Sequence, residues 1–386
     1  MKFSLSKITR SHGLRLKPQA QAGFSLLELL IAMVLFLIVT GSIYGLMQLG
    51  MYDRNRASRR TDVLKNARVA VHMIGRDVLN AGLAYHRRGA IVPDNFNSTL
   101  LGVPADVDNA RDMLTSIVVG NNVYTNNLNA VTTTRTDSIT FAYRDMDFNC
   151  GNSIELQGVT APSGQPTVAR LTPKAGAVAA AGACPTPRTD QASLPQAYDV
   201  FLVESDTSQV LGIATTVNGT TSIDLAPADP LGLNQALNGT GINGSLLRQC
   251  TSSADTNCTT YSATAKRVFL VTYRVKPDGT LVRVVYGNNR GALATAQIQE
   301  LPLAYNVEDL QIKYVLEDGT TSDNPSVGPD GLVGTTDDDW QGFNNIRQIQ
   351  LTIKVQSTEN DEKTRRPESI TFTSTFTTRN LEYDAS

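Results

Sequence analysis

Two segments of the N-terminal quarter carry helical patterns of hydrophobic and polar residues. No charged side chain occurs from Leu29 to Tyr52. A helix of that length extends roughly 36 Å at about 1.5 Å per residue, which exceeds a bilayer core of roughly 30 Å. Farther along, five apolar residues recur at helical spacing between charged and polar positions: Leu64, Val71, Ile74, Val78 and Ala81. This stripe predicts an amphipathic helix that packs under a sheet, with a coiled-coil dimer seam as the alternative.

From about residue 89 the pattern changes to an alternation of apolar and polar residues, which is typical of half-buried strands. Such runs occur at residues 138–143, 200–203, 269–275, 281–286, 307–316, 349–355 and 370–376. The turn sequence Pro277-Asp278-Gly279 joins two of these runs into a hairpin. The sequence therefore predicts an α+β fold, in which a long N-terminal helix packs on an antiparallel, β-rich head.

These patterns divide the chain into four segments. We expect a basic N-terminal segment at residues 1–23, a membrane-spanning helix at 24–52, its amphipathic continuation at 53–88, and a β-rich head at 89–386. Within the head, residues 159–195 are rich in Ala, Gly, Pro, Ser and Thr, which predicts a flexible loop or linker.

Composition and charge argue against nucleic-acid binding and against catalysis. The 386 residues carry a formal charge of −2, and removal of the five basic residues in 1–23 leaves a net charge of −7. An acidic chain without a basic cluster in its body is a poor partner for nucleic acid. The only histidines are His12, His72 and His86, and no nucleophile–base pattern is present. We therefore expect a protein that is not an enzyme and that binds no organic cofactor.

The four cysteines, Cys150, Cys184, Cys250 and Cys258, fit two disulfides in an oxidising compartment. Pairing between sequence neighbours, Cys150 with Cys184 and Cys250 with Cys258, is favoured because the second pair flanks a short polar loop. The other two pairings of four cysteines stay open.

An acidic residue, Glu28, lies at the edge of the apolar run. A carboxylate within hydrocarbon costs a few kcal/mol, so an acid in a membrane helix suggests a function. The alternative is that Glu28 lies at the interface and contacts lipid headgroups.

The residues around Glu28 resemble a known signal. The string Gly23-Phe24-Ser25-Leu26-Leu27-Glu28-Leu29-Leu30 is similar to the class III signal of type IV prepilins and type II secretion pseudopilins. The resemblance implies that residues 1–23 are a leader and that a prepilin peptidase cuts after Gly23 and methylates the amine of Phe24. It also implies that Glu28 pairs with the terminal amine of a neighbouring subunit, which would give the buried charge a partner.

The last third of the chain resembles the C-terminal part of the PilW family of minor pilins. The resemblance lies in residues 306–314, 345–355 and the closing strand that ends at 377–381. It implies a subunit that initiates or caps a type IV pilus, with other minor and major pilins as partners. The head would be periplasmic, beside the inner membrane, before it reaches the cell surface. The alternatives are a minor pseudopilin of a type II secretion system and a tip adhesin.

An aspartate-rich loop follows one of the predicted strands. Residues 326–340 are similar to the calcium loop of major pseudopilins, and they include Asp330, Asp337, Asp338 and Asp339. Hard oxygen ligands on a glycine-rich turn suit Ca²⁺. The resemblance implies a structural calcium site at these four aspartates, and the alternative is a solvated acidic loop.

Overall fold

A computed structural model describes residues 23–103, 111–128, 134–180, 184, 194–205, 208–239, 263–290, 296–325, 345–361 and 365–381. The chain divides into two compact units, residues 1–58 and 59–386. The described elements are one long helix and a set of mainly antiparallel strands, which confirms the α+β fold expected from the sequence.

The long helix, α1, runs from Leu26 to Asn80. Glycine or proline would break the helical pattern, but the apolar half contains only isolated glycines at 41, 45 and 50. After Asn80 the chain turns at Gly82, which adopts a φ of 78° that favours glycine. The helix therefore ends at Asn80 rather than near residue 88, where the sequence placed the end of its amphipathic part.

The described strands follow α1 in chain order. Their bounds are β1 Ala90–Ile91, β2 Met113–Leu114, β3 Ile117–Asn126, β4 Thr134–Arg144, β5 Ile154–Thr160, β6 Ala169–Pro173, β7 Val200–Ser205, β8 Gln209–Ile213, β9 Thr216–Asn218, β10 Ser222–Leu225, β11 Ala263–Val275, β12 Leu281–Tyr286, β13 Ile298–Ala304, β14 Val307–Leu316, β15 Thr321–Ser322, β16 Ile346–Asn360 and β17 Pro367–Thr377. A π-helical turn at Asn97–Leu101 and a 3₁₀ turn at Phe148–Gly151 lie between strands.

The larger sheet branches at β11, which belongs to two sets of strands. The first half of β11 pairs with β5 and β7, within the order β2-β1-β8-β7-β11-β5-β6-β10-β9. The second half pairs with β4 and β12, and these strands pair in turn with β3 and β13. The predicted hairpin is confirmed: β11 and β12 meet across the turn at Gly279, whose φ is 77°.

The smaller sheet contains the last part of the described chain, in the order β15-β14-β16-β17. Its strands alternate buried and exposed residues, most clearly along β16. The buried residues of this sheet join the same core as the inward residues of β3, β4 and β11. The second half of α1 contributes to that core too, because its buried residues belong to the same cluster.

Two expectations about the head need correction. Ile74, Val78 and Ala81 of the predicted stripe are buried, which confirms that part of it. The buried side of α1 also includes Ala67 and Ala70, which the stripe omitted, whereas Leu64 and Val71 are only half-buried at its margin. Residues 159–195 are not one flexible segment, because β6 at Ala169–Pro173 pairs with β5 and β10. The low-complexity composition conceals a period-two alternation of buried and half-buried residues along β6.

Candidate processing and assembly site

The start of α1 carries a capping box built from Ser25 and Glu28. The amide of Leu27 donates to Ser25 Oγ over 3.3 Å, and the amide of Ser25 donates to Glu28 Oε2 over 3.3 Å. The first turn of a helix leaves amides without intrahelical partners, and this reciprocal arrangement satisfies two of them. In a membrane such unpaired amides are costly, so the box favours a helix start close to hydrocarbon.

The same turn places the expected processing residues together. Gly23 and Phe24 precede the helix and are exposed, and the Glu28 carboxylate faces back along the chain toward them through its contact with the amide of Ser25. The sequence analysis singled out Glu28 but missed Ser25, although the pattern Ser-x-x-Glu before an apolar run signals a capping box.

The first half of α1 is an exposed apolar surface. Every residue from 23 to 51 is exposed, and the helix is long and apolar enough to cross a membrane. A helix that is apolar on all sides, without a protein partner, is suited to lipid or to the helices of other subunits. These facts are consistent with membrane anchoring.

Comparison with known proteins gives one match. The family described as "Prokaryotic N-terminal methylation motif" matches residues 18–44. No curated protein and no solved structure matches the chain. The matched residues include the capping box and the start of the apolar helix. The chain thus carries the N-terminal motif of type IV prepilin-like proteins, and the motif indicates a pilin-like or pseudopilin-like structural protein.

In the second unit a buried carboxylate fixes α1 to the larger sheet. Asp77 has no exposed surface, and besides the neighbouring Arg76, which lies 3.4 Å from Oδ1, three side chains of the larger sheet donate hydrogen bonds to it. The hydroxyl of Tyr273 donates to Oδ2 over 2.6 Å, Arg283 Nε donates to Oδ2 over 2.9 Å, and the hydroxyl of Tyr143 donates to Oδ1 over 3.2 Å. We call these four residues the Asp77 cluster. It supplies the partners that a buried charge requires.

The surroundings of Asp77 determine the protonation of its three donors from the larger sheet. Burial raises the pKa of both Tyr143 and Tyr273 well above the usual range, and the adjacent Asp77 raises them further, so both phenols stay protonated as donors. Burial alone would lower the pKa of Arg283, but Asp77 and the two tyrosines together more than offset this, so the pKa of Arg283 rises and its guanidinium stays charged. An acid between Ile74 and Val78 of the apolar stripe was the sequence signal for this cluster, and it was missed.

Close packing and ion pairs join α1 to β17 and the end of β16. A Cβ atom on Gly75 would lie 2.3 Å from the ring of Phe376, so only glycine allows this approach of helix and strand. About four turns earlier along α1, Arg60 Nε lies 2.5 Å from Glu368 Oε1 and Arg59 lies 3.6 Å from Glu359. The helix is therefore held along its length from residue 59 to 77.

A disulfide joins Cys150 to Cys184, in the pairing favoured from the sequence. The chain around it is held by Asn149, whose side chain donates to the carbonyl of Ala177 over 3.0 Å and accepts from the amide of Ala179 over 2.6 Å. These bonds bring the segment before Cys184 against the turn that contains Cys150. The expected pair Cys250–Cys258 lies outside the described residues.

The remaining expected site also lies outside the described residues. Asp330, Asp337, Asp338 and Asp339 belong to the segment 326–344, of which the structure describes nothing. Within the described ranges, no group of three or more His, Cys, Asp or Glu residues could hold a metal ion.

Proposed function

We propose that this protein is a minor subunit of a type IV pilus that assembles through its N-terminal helix and helps to initiate or cap the fibre. The observation that carries the proposal is the methylation motif at residues 18–44, which includes the start of an exposed apolar helix that leads to a β-rich head. The C-terminal strand pattern supports a PilW-type subunit as the finer assignment.

The proposed route begins at the membrane. A prepilin peptidase hydrolyses the bond between Gly23 and Phe24, which removes residues 1–23 and creates an amine at Phe24. The peptidase then methylates this amine. The Glu28 carboxylate, held near this end by the amide of Ser25 at 3.3 Å, pairs with the amine of a neighbouring subunit as the apolar helices pack together. A charge pair inside the bundle lowers the cost of each separate charge in hydrocarbon.

Two substitutions at Glu28 separate helix capping from charge pairing. Glu28→Gln keeps an acceptor for the amide of Ser25, because glutamine also completes a capping box, but removes the charge. Glu28→Ala removes both. We expect both variants to insert in the membrane, to be processed, and to be depleted at least tenfold from sheared pili. Wild-type incorporation of Glu28→Gln would show that the carboxylate only caps its own helix.

Mass spectrometry of the membrane-extracted protein tests the processing step directly. We expect a chain that starts at methylated Phe24, and a chain that retains Gly23 would contradict the proposed cleavage. A type II secretion pseudopilin shares the same motif and helix. Recovery of the protein in sheared surface pili, together with unchanged secretion in a deletion strain, distinguishes the pilus from the pseudopilus.

We also propose that the aspartate-rich segment binds Ca²⁺ through Asp330 and the three aspartates at 337–339. Its support is the sequence: three consecutive carboxylates repel one another, and a divalent cation between glycine-rich turns relieves that repulsion. At a calcium concentration about ten times Kd, linkage stabilises the fold by roughly 1.4 kcal/mol. Equal melting temperatures in millimolar Ca²⁺ and in chelator would refute the site.

A further inference from the structure

A buried carboxyl group, that of Asp137 in β4, lies at the junction of the two sheets. Its Oδ2 accepts from the amide of Ile312 in β14 over 2.7 Å, and its Oδ1 accepts from the amide of Asn122 in β3 over 2.8 Å. Strands β3 and β4 belong to the larger sheet, whereas β14 belongs to the smaller sheet. One side chain therefore ties three strands together across the junction.

The contact with β3 is made at an irregular part of that strand. The register of β3 against β4 shifts between Gly120 and Tyr124. Asn122 lies inside this bulge with a φ of 53°, in the left-handed region. An extra residue in a bulge is left unpaired in the ladder. The Asp137 carboxylate thus supplies the acceptor that the amide of Asn122 needs.

The carboxyl group of Asp137 is buried without a counter-charge in the described part of the chain. Asp137 is only 3% exposed. The charged groups of the described residues that act on it are acids, namely Asp309 of β14 and Asp323, which directly follows β15. A buried carboxylate is costly unless it is paired, and like charges raise that cost.

The basic residues of the adjoining strands are directed to other groups. Arg135 of β4 is exposed and donates to the carbonyl of Asn122 over 3.3 Å. Lys313 of β14 is exposed and pairs with Asp323 over 3.7 Å. Each base therefore has a partner other than the carboxylate of Asp137.

A buried phenol, that of Tyr314 in β14, also lies in the field of Asp137. Burial raises the pKa of Tyr314 well above its usual range, and the charges of Asp137 and Asp323 raise it further. The phenol therefore stays protonated and neutral, and it provides no counter-charge for Asp137.

These surroundings favour the neutral form of Asp137. Burial raises its pKa from 3.8 to about 6, although the two amide donors lower it, and Asp309 and Asp323 raise it further. The folded protein therefore binds a proton at Asp137 at pH values where the unfolded chain does not. The stabilisation from this proton is complete below about pH 4 and is lost as the pH rises through about 6.

The direction of the repulsion follows from the topology. Asp309 and Asp323 belong to the smaller sheet and the segment that follows its strand β15, whereas Asp137 belongs to the larger sheet. When Asp137 is ionised, repulsion acts across the junction and opposes the contact between the sheets. Neutral Asp137 removes that repulsion and the need of a buried charge for water.

We propose that Asp137 is a proton-operated latch between the two sheets. The neutral carboxyl group holds β14 against β3 and β4, and its ionisation releases the contact with Ile312 and admits water to the junction. The junction is therefore tighter in acidic than in neutral surroundings. This latch lies in the second unit and does not depend on the proposed pilus function.

Hydrogen–deuterium exchange of the full chain in detergent micelles, at about pH 5 and about pH 7.5, tests the latch. Protection factors, which are corrected for the intrinsic pH dependence of exchange, report local opening. We expect them to be at least tenfold lower at the higher pH in β3 and β14. Strand β7, which pairs with β8 away from Asp137, is the internal reference and should change less than about twofold. Equal protection of β3 and β14 at the two pH values, or an equal loss in β7, would overturn the proposal.

Asp137→Asn removes the titrating group and keeps an oxygen acceptor for one of the two amides. We expect the protection of β3 and β14 in this variant to be independent of pH over the same interval. A folded Asp137→Asn protein that retains the wild-type pH dependence would refute Asp137 as the latch.

A change on the smaller sheet keeps the test decisive if Asp137→Asn fails to fold. The double variant Asp309→Asn and Asp323→Asn removes both repelling charges and should raise the pH at which the junction opens, or lower it, according to which form of Asp137 these acids favour. Because they raise the pKa of Asp137, their removal should lower the midpoint of the opening by about half a pH unit or more. Asp318→Asn is the matched control, since Asp318 is an exposed aspartate in the turn after β14 that is not among the charges acting on Asp137. Equal midpoints in the wild type, the double variant and the control would contradict repulsion across the junction.

Discussion

Removal of the Asp77 carboxylate is the sharpest test of how α1 is held in the second unit. Asp77→Ala would leave the Arg283 guanidinium, which is only 12% exposed, without its buried counter-charge. It would also leave the hydroxyls of Tyr143 and Tyr273 without an acceptor. Breaking a buried charge pair typically costs about 3–5 kcal/mol. We expect the free energy of unfolding to fall by about that amount.

Thermal melting of the full chain in detergent, followed by circular dichroism of the β-rich unit, measures the effect. At roughly 2 °C per kcal/mol for a large domain, the melting temperature should fall by about 6–10 °C. Asp53→Ala is the control, because Asp53 is an exposed aspartate on the same helix. Asp53→Ala should change the melting temperature by no more than about 1 °C.

A double-mutant cycle separates the charge pair from simple loss of packing. Arg283→Met alone strands the Asp77 carboxylate, and Asp77→Leu alone strands the guanidinium, so each single change should be costly. The double variant removes both charges and should be clearly more stable than the sum of the singles predicts, because no uncompensated charge remains. Strict additivity, or an Asp77→Ala variant within about 1 kcal/mol of the wild type, would refute the cluster as the element that positions the helix.

Three further predictions follow from the second unit. Gly75→Ala should destabilise the second unit by about 1–2 kcal/mol in denaturant unfolding, because the new Cβ would lie 2.3 Å from Phe376. Gly45→Ala is the control and should be neutral or stabilising, because nothing lies within 4 Å of its Cβ position. Equal effects of the two substitutions would argue against close packing at Gly75. Burial raises the pKa of Asp137 from 3.8 to about 6, so its contribution to stability is full below about pH 4 and is lost as the pH rises through 6. The pKa shift corresponds to about 3 kcal/mol of stability. Asp137→Asn should therefore flatten the fall in melting temperature between about pH 4 and pH 6. An unaltered slope would contradict this prediction. Cys150→Ser together with Cys184→Ser should cost about 3–4 kcal/mol for a loop closed over 34 residues, and reductant should have no further effect on that variant; a variant as stable as the wild type would contradict a structural role for the disulfide.

Local sequence patterns predicted elements well where the chemistry is local. The turn Pro277-Asp278-Gly279 fixes the β11–β12 hairpin, because Gly279 adopts a positive φ and the amide of Thr280 donates to Asp278 Oδ1 over 2.9 Å. Alternation also predicted β14, β16 and β17. By contrast β6 was missed, since its alanine and proline residues carry weak strand propensity and its strand conformation depends on pairing with β5 and β10.

Non-local features were beyond the reach of these patterns. The branch of the larger sheet at β11 depends on which strands pair across more than 100 residues, as between Phe269 and Tyr143. Periodicity has no information on such partners. Of the site, the sequence identified Gly23, Phe24 and Glu28 from their motif, while the role of Ser25 required the geometry of the first helical turn.

The position of α1 in the second unit shows why a helix can be predicted while its rotation is not. Of the predicted apolar stripe, Ile74, Val78 and Ala81 are buried, whereas Leu64 and Val71 lie at its margin and the buried line continues through Ala67, Ala70 and Gly75. Small residues allow the helix to approach the sheets closely, and they add little hydrophobic energy of their own. Directed contacts then add specificity, and Asp77 provides them because its carboxylate accepts hydrogen bonds from two tyrosines and an arginine. A slip of one residue would move Asp77 by about 100° around the helix and separate its charge from Arg283, so the buried pair, rather than the stripe, selects the register.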